Sequence, residues 1–253
     1  MINSITLKNF KRFRNHTVSL SPPITVILGE NSSGKSSVLK AILGLKQTIS
    51  PSNEHECWAA HGEYVDLGTY QDYVHKKDIR KKFGFTISLG RSALSHSYFL
   101  SRVVRDLEGI DLAVEYDFDQ TTSQARFYSI RAALQSRSNR ELTWELTRQK
   151  TRKDYFLTVS SELHERMNVE IRLPDAEQVS PGERLVFTHV EKFSFRPARA
   201  TEKIGAVMLG RLVNDSVAGL SNYLDKHVFY LAPLRSSPSR SYIRSSHSLA
   251  VGV

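Results

Sequence analysis

The chain has 253 residues, a formal net charge of +9 and a single cysteine, with 40% hydrophobic and 24% charged residues. This globular composition excludes wholesale disorder, and one cysteine excludes a secreted scaffold held by internal disulfides. No apolar run approaches the ~20 residues that span a bilayer, and residues 1–14 lack the apolar stretch of a signal peptide. We therefore expect a soluble cytoplasmic protein without membrane contact, whose basic balance favours a polyanionic partner.

The positive charge is concentrated in three regions. Residues 1–46 hold seven Lys and Arg against one acidic residue, and residues 131–153 hold seven against two. Residues 232–253 hold three Arg and no acid, so the remainder of the chain is acidic. An isolated basic cluster is usually a solvated face, which leaves the second and third regions without an assigned purpose.

The N-terminal fifty residues predict a strand, a loop and a helix. Apolar residues of Ile2–Phe10 predict a first strand, followed by a basic turn at Lys11–Arg14 and a short strand at Thr17–Leu20. The β-branched run Ile24–Leu28 predicts a strand buried on both faces. Ser37–Lys46 predicts a strongly apolar helix.

Between that run and that helix the sequence reads G-x-x-x-x-G-K-S, the pattern of a phosphate-binding loop. Gly29 and Gly34 permit backbone angles that turn successive N–H groups toward a phosphate, and the helix N-terminus attracts the same anion. Lys35 is expected to reach the β- and γ-phosphates, and the Ser36 hydroxyl to bind Mg²⁺. The predicted ATP-binding residues of the loop are Gly29, Glu30, Asn31, Ser32, Ser33, Gly34, Lys35, Ser36 and Ser37.

The strand that ends in Asn9-Phe10 and a basic residue, followed by this loop, resembles the N-terminal lobe of ABC-type ATPases of the SMC/RecF/OLD group. The resemblance implies ATP and Mg²⁺ as cofactors and a homo-oligomer that dimerises through its ATPase heads around nucleotide. It also implies that a basic side chain, Lys11 or Arg12, lies near the phosphates. A solvated basic turn is the alternative.

Two further segments narrow the resemblance to bacterial anti-phage defence ATPases of the OLD-like kind. Gly62–His75 and Phe229–Arg240 are similar to blocks of that group, although Ala232 stands where glycine is usual. The resemblance implies a nuclease partner or a fused nuclease domain. It also makes Gln71 a candidate Mg²⁺ ligand, with an exposed glutamine of no special role as the alternative.

The region of about residues 90–200 reads as a strand-rich insertion. Alternating β-formers predict antiparallel strands at Leu112–Phe118, Ala125–Ile130, Leu142–Thr147 and Tyr155–Val159. A long amphipathic helix follows at Ile204–Lys226, and then a buried strand at Val228–Leu231. The histidines have no metal-ligand spacing, and the basic positions here could contact DNA or RNA or simply face solvent.

Two motifs of an ABC-type ATPase are missing. The acidic Walker B strand, which holds Mg²⁺ and polarises water, has no match, so the catalytic residues are unknown. Ser180–Arg184 only superficially resembles a signature motif and is interpreted as a turn. We therefore expect residues 1–253 to form the N-terminal lobe of a single head, with signature and Walker B in a C-terminal lobe beyond this chain, which alone should hydrolyse ATP negligibly.

The predicted fold class is α/β: a P-loop NTPase of ABC-head type, with a mixed or antiparallel sheet lobe, a parallel core strand and a P-loop helix. The favoured function is the ATPase or sensor component of an anti-phage defence system. A DNA-repair or chromosome-maintenance ATPase that holds DNA is the first alternative, although no sustained coiled-coil heptads are present. A non-hydrolysing scaffold that senses nucleotide is the second.

Overall fold

The computed structural model describes residues 1–20, 24–50, 56–94, 100, 104, 107–137, 141–148, 155–160, 185–191, 194–197 and 204–231. Among them it contains nine strands, three helices and two 3₁₀ turns at His75–Lys77 and Arg91–Leu94. The helices are α1 (Lys35–Ile49), α2 (Tyr70–Tyr73) and α3 (Ile204–His227). The strands are β1 (Ile2–Phe10), β2 (Phe13–Ser19), β3 (Phe83–Gly90), β4 (Leu107–Asp119), β5 (Gln124–Ser136), β6 (Glu141–Arg148), β7 (Tyr155–Val159), β8 (Leu185–Glu191) and β9 (Ser194–Pro197).

All nine strands belong to one sheet, in the order β2-β1-β3-β4-β5-β6-β7-β8-β9. Every neighbouring pair is antiparallel. The longest pairing joins β4 to β5, whose hairpin runs from Leu107 opposite Ser136 to Asp119 opposite Gln124. The four strands predicted between residues 112 and 159 are confirmed, and β4 and β5 are longer than their apolar runs suggested.

The core lies between one face of this sheet and helices α1 and α3. Leu212, Val213 and Leu220 of α3 are buried, and so are Val38 and Ala41 of α1. Burial of each Leu or Val side chain of this kind stabilises the fold by roughly 1.5–3 kcal/mol. The predicted α1 and the predicted long helix are both confirmed; α1 begins two residues earlier and ends three residues later than predicted, and α3 ends one residue later.

Polar contacts attach the two helices to the rest of the core. The Trp144 Nε1–H of β6 donates to Ser216 Oγ of α3 at 3.2 Å. The Lys46 ammonium, near the end of α1, donates to the carbonyl of Leu224 at 2.8 Å. Because buried polar groups are costly without partners, these bonds fix the orientation of both helices on the sheet.

An aromatic cluster fills the core at the end of the sheet that carries β1 and β2. It connects Phe10, Trp58, Tyr73 and Phe83 through ring pairs whose centroids lie 5.2–6.5 Å apart. Edge and tilted aromatic pairs of this kind add stability beyond their buried area. The cluster therefore gives the β1–β2 turn and α2 a rigid support.

The predicted strands at 24–28 and 228–231 are wrong. Both segments lack strand pairing in the described structure. The side chains of Ile24, Val26 and Leu28 are 71–84% exposed. Phe229 is 81% exposed and Leu231 is 93% exposed. A β-branched run becomes a buried strand only where neighbouring strands accept its backbone hydrogen bonds, and here none of the described strands lies beside it. Of the helices described, none is long and apolar enough to cross a membrane.

Candidate functional site

The loop Gly29–Ser36 joins the extended segment 24–28 to the first turn of α1. The Lys35 ammonium folds over the loop and donates to the Gly29 carbonyl at 2.7 Å and to the Glu30 carbonyl at 2.6 Å. Within the loop, the Ser33 N–H donates a hydrogen bond to the Glu30 carbonyl three residues earlier, at 3.1 Å. The loop thus holds a cation at its centre, with the start of a helix directly behind it.

Both motif glycines adopt backbone angles that other residues avoid. Gly34 has φ +101° and Gly29 has φ +154°. A Cβ on Gly29 would lie 2.8 Å from the Ser33 hydroxyl, and a Cβ on Gly34 would lie 2.6 Å from the Phe13 ring. The positive φ angles and the side chains packed against both positions explain why the loop requires glycine there.

Helix α1 begins directly after the second motif glycine. Its first residue is Lys35, its first turn holds no acidic residue, and the Ser37 N–H bonds to the Gly34 carbonyl at 2.8 Å. The unpaired N–H groups and the dipole of a 15-residue helix favour a negative charge here. Ser36 is exposed and can bind a metal ion beside a phosphate, whereas Ser37 is buried.

The β1–β2 turn contacts the loop through Arg12. The Arg12 guanidinium donates to the Ser32 carbonyl. Lys11 instead has a left-handed backbone, φ +51°, and its ammonium lies 3.5 Å from the Asp72 carbonyl. Of the two basic residues that the sequence left open, the structure brings Arg12 to the loop.

Helix α2 packs against the other side of the same turn. The Lys11 N–H donates to the Tyr73 carbonyl at 2.6 Å, and the His75 ring donates to the Lys11 carbonyl at 3.1 Å. Gln71 is exposed on this short helix, which a Thr69–Asp72 capping box begins. The turn therefore links Gln71's helix to the phosphate loop, although nothing bonds Gln71 itself to that loop in the described structure.

Left-handed backbone is concentrated around this site. Of the six described non-glycine residues with positive φ, only Ser123 lies elsewhere, in the β4–β5 turn. Such conformations cost roughly 1–3 kcal/mol each and persist where the surroundings enforce them, often at functional sites. The other five are Asn9, Lys11, Ser32, Lys76 and Lys77.

Tyrosines beneath the site are structural. Burial raises the pKa of Tyr73 and Tyr70 above the ordinary tyrosine value, so both stay neutral and serve as aromatic support. In the part of the chain that the structure describes, no group of three His, Cys, Asp or Glu side chains could hold a metal ion.

Sequence reasoning missed two contributors, Phe13 and His75. The Lys11–Arg14 segment was predicted to be a basic turn, but β2 begins at Phe13 and carries that ring onto Gly34. No local pattern indicates the contact of Phe13 with Gly34 or that of His75 with the turn. The signature-like Ser180–Arg184 and the part of the Phe229–Arg240 block beyond residue 231 lie outside the described residues.

Comparison with known proteins assigns the N-terminal two thirds of the chain to a protein family. A protein-family model described as an AAA ATPase domain matches residues 1–173. DNA replication and repair protein RecF of Staphylococcus carnosus is 27% identical over 78 residues, covering 30% of this chain and 21% of RecF. RecF of Chloroflexus aggregans is 38% identical over 66 residues, covering 24% and 17%.

The chain therefore matches about a fifth of the length of these relatives. Among solved structures, a chain from a study of ATP-driven dimerization and DNA-stimulated activation of SMC ATPases aligns with 72% of this chain and 87% of its own. The two are 17% identical, with a TM-score of 0.31. The assignment of the fold rests on the family match and on the loop geometry.

Proposed function

This chain belongs to the AAA ATPase domain family, and on that premise we propose that it binds ATP–Mg²⁺ at the loop Gly29–Ser37. The observation that carries the proposal is the Lys35 ammonium, held 2.6–2.7 Å from two loop carbonyls at the N-terminus of α1. A triphosphate offers that ammonium stronger, charged acceptors than neutral carbonyls do. Lys35 would then move onto the β- and γ-phosphates.

The remaining residues take the roles that their positions allow. Arg12, which already reaches the loop, supplies a second cation to the phosphates. Ser36 supplies the exposed hydroxyl for Mg²⁺. Gln71 stays a proposed Mg²⁺ ligand, since its helix packs against the turn that carries Arg12. When bound, the metal neutralises phosphate charge and orients the terminal phosphate.

The proposed metal role of Ser36 predicts a change in the Mg²⁺ dependence of binding. Calorimetric titration of the wild-type chain should show tighter ATP binding with Mg²⁺ than with EDTA. In Ser36→Ala this gain should fall by roughly tenfold, because one metal ligand is lost, while ATP binding in EDTA is unchanged. Ser19→Ala, exposed at the end of β2 and outside the loop, is the matched control. An equal Mg²⁺ gain in wild type and Ser36→Ala would contradict the assignment.

We also propose that a C-terminal lobe of further polypeptide completes the head and supplies the signature motif and the catalytic acids. The exposed apolar segments at 24–28 and 229–231 support this, because so much apolar surface normally contacts another structure. Two completed heads would dimerise around nucleotide. The anti-phage role with a nuclease partner or fused nuclease domain is proposed on the resemblance of Gly62–His75 and Phe229–Arg240 alone.

A second candidate function, an ATPase that holds DNA, is favoured by a basic rim beside the loop. His75 and Asn9 connect this rim: His75 bonds to the Lys11 carbonyl, and the Asn9 side chain donates to the Lys82 carbonyl at 2.8 Å. The acidic residues nearby are already engaged, since Asp78 pairs with Arg80, which lowers the pKa of that carboxyl. The basic rim consists of Lys11, Arg12, Arg14, Lys76, Lys77, Arg80, Lys81 and Lys82.

The basic rim predicts salt-dependent binding of duplex DNA. The double variant Lys76→Glu/Lys77→Glu removes two exposed cations, so the slope of log affinity against log salt should fall by about 2. Fluorescence anisotropy of a labelled 30-base-pair duplex, titrated at several salt concentrations, measures this slope. Lys226→Glu, exposed at the end of α3, should leave the slope unchanged. Equal slopes for wild type and the double variant would remove the rim as a DNA contact.

A further inference from the structure

A buried glutamine in the last turn of α1 pairs with a loop as a neighbouring strand would. The Gln47 side chain is 3% exposed. Its Nε2 donates to the Ala59 carbonyl at 2.5 Å and to the Val65 carbonyl at 3.1 Å, and its Oε1 accepts from the Val65 N–H at 3.1 Å. The side-chain amide therefore satisfies both backbone groups of Val65, as the peptide group of an adjacent strand does.

Thr48, the next residue of α1, completes this pairing. Its side chain is fully buried, and its hydroxyl accepts a bond from the Ala59 N–H at 3.0 Å. Gln47 and Thr48, here called the α1 clamp, thus bond to both backbone groups of Ala59 and of Val65. Because a buried backbone group without a partner is costly, the α1 clamp fixes the loop 59–65 on α1.

The loop held by the α1 clamp leads directly into α2. The Gly68 N–H donates to Asp66 Oδ1 at 2.9 Å, and the capping box Thr69–Asp72 then begins the helix. Gln71 lies in this helix, six residues after Val65. A shift of Val65 would therefore be passed along a short, hydrogen-bonded segment to Gln71.

We propose that Gln47 is a positioning residue for Gln71, an inference that rests on the proposed Mg²⁺ role of Gln71. The two ends of α1 then serve one site. Its N-terminus follows the phosphate loop, and its last turn fixes the loop that leads to the metal ligand. Residues that orient a metal ligand affect metal affinity although they do not contact the metal. Gln47 is buried and acts through the loop 59–65.

The alternative is that the aromatic core alone holds α2. Tyr70 and Tyr73 are each 2% exposed, and their ring centroids lie 5.6 and 5.2 Å from that of Phe83. If these contacts were sufficient, the α1 clamp would stabilise the fold and have no effect on the metal. The two possibilities differ in the Mg²⁺ dependence of ATP binding once the α1 clamp is weakened.

The test is the gain in ATP affinity that Mg²⁺ gives over EDTA, measured by calorimetric titration of the whole chain. Gln47→Glu keeps the shape of the side chain but presents oxygen to both carbonyls, so this gain should fall about tenfold, while ATP binding in EDTA is unchanged. In a Gln71→Ala background the same change should lower the gain by less than about twofold further, because the positioned ligand is absent. Ser216→Ala, which removes a buried bond between α3 and Trp144, is the matched control and should keep the full gain.

Gly62→Ala weakens the α1 clamp without removing any of its groups. A Cβ on Gly62 would lie 2.8 Å from Gln47 Oε1, so the amide must shift from its partners. Gly62 itself is exposed, and we expect this variant to fold as the wild type does. It should lower the Mg²⁺ gain in the same direction as Gln47→Glu, by a smaller factor. It decides the question if Gln47→Glu does not fold.

Each outcome distinguishes positioning from support of the fold. An unchanged Mg²⁺ gain in Gly62→Ala and in folded Gln47→Glu would overturn the positioning role. An equal loss from Gln47→Glu with and without Gln71→Ala would also overturn it, because Gln47 would then act by another route. A full Mg²⁺ gain in Gln71→Ala would instead overturn the Mg²⁺ role of Gln71, and the positioning role with it. Failure of the wild-type chain to bind ATP would overturn the ATP site itself.

Discussion

Replacing Gly34 by alanine should both destabilise the chain and weaken ATP binding severely. At φ +101° an L-residue is strained, and its Cβ would lie 2.6 Å from the Phe13 ring and 2.8 Å from Arg12 Cδ. The β1–β2 turn or the start of α1 must then move. We expect the free energy of unfolding to fall by about 1–3 kcal/mol, the range for a strained backbone. ATP affinity should fall by a factor of about 10 to 100, because the same strain opposes the binding-competent loop.

Urea denaturation measures the first effect and calorimetric titration with Mg²⁺–ATP the second. Gly90→Ala is the matched control, since the nearest atom to a Cβ at that position is Asn3 Nδ2 at 3.4 Å and the backbone there is not left-handed. That variant should keep wild-type ATP affinity. If Gly34→Ala bound ATP as the wild type does, the close packing of the turn on the loop would have no part in binding.

Replacing Lys35 by alanine should remove ATP binding while leaving the fold intact. Among the described residues its ammonium donates to the Gly29 and Glu30 carbonyls, and its side chain is not part of the buried core. Each hydrogen bond from a charged donor contributes about 1.5–3 kcal/mol, so losing those to two phosphates should weaken binding at least about 100-fold. The unfolding free energy should change by less than about 1 kcal/mol. Lys40→Ala, on the same helix, provides the control for loss of charge.

Sequence reasoning succeeded where one segment determines its own structure. The loop motif, α1 and the antiparallel strands follow from glycine spacing and from hydrophobic periodicity, and all of them are present. Burial of 24–28 could not be predicted in the same way, because it depends on strands that must lie alongside. An apolar run shows that a segment can be buried and leaves open what would cover it.

The choice between Lys11 and Arg12 illustrates a second limit. The two residues are adjacent and both basic, so composition cannot rank them. With a left-handed backbone at Lys11, the Lys11 side chain lies toward Asp72 and the Arg12 side chain contacts Ser32. A bond to the carbonyl of Tyr73, more than sixty residues away in the sequence, holds that backbone. Long-range contacts of this kind decide side-chain direction and are not visible in a local pattern.

The same limit applies to His75 and to the packing of the Phe13 ring on Gly34. Their arrangement depends on the left-handed backbone at Asn9 and on the packing of α2 against the turn. Gln71 could be placed near the site from the resemblance, and its helix does pack on the turn that carries Arg12. Whether it binds Mg²⁺ stays a prediction.

The central claim is that the loop Gly29–Ser37 is an ATP site centred on Lys35. Its most direct test is calorimetric titration of Mg²⁺–ATP into the wild-type chain, Lys35→Ala and Lys40→Ala under the same conditions. The site predicts saturable binding by the wild type and by Lys40→Ala, and at least about 100-fold weaker binding by Lys35→Ala. Equal affinity in the wild type and Lys35→Ala would contradict it.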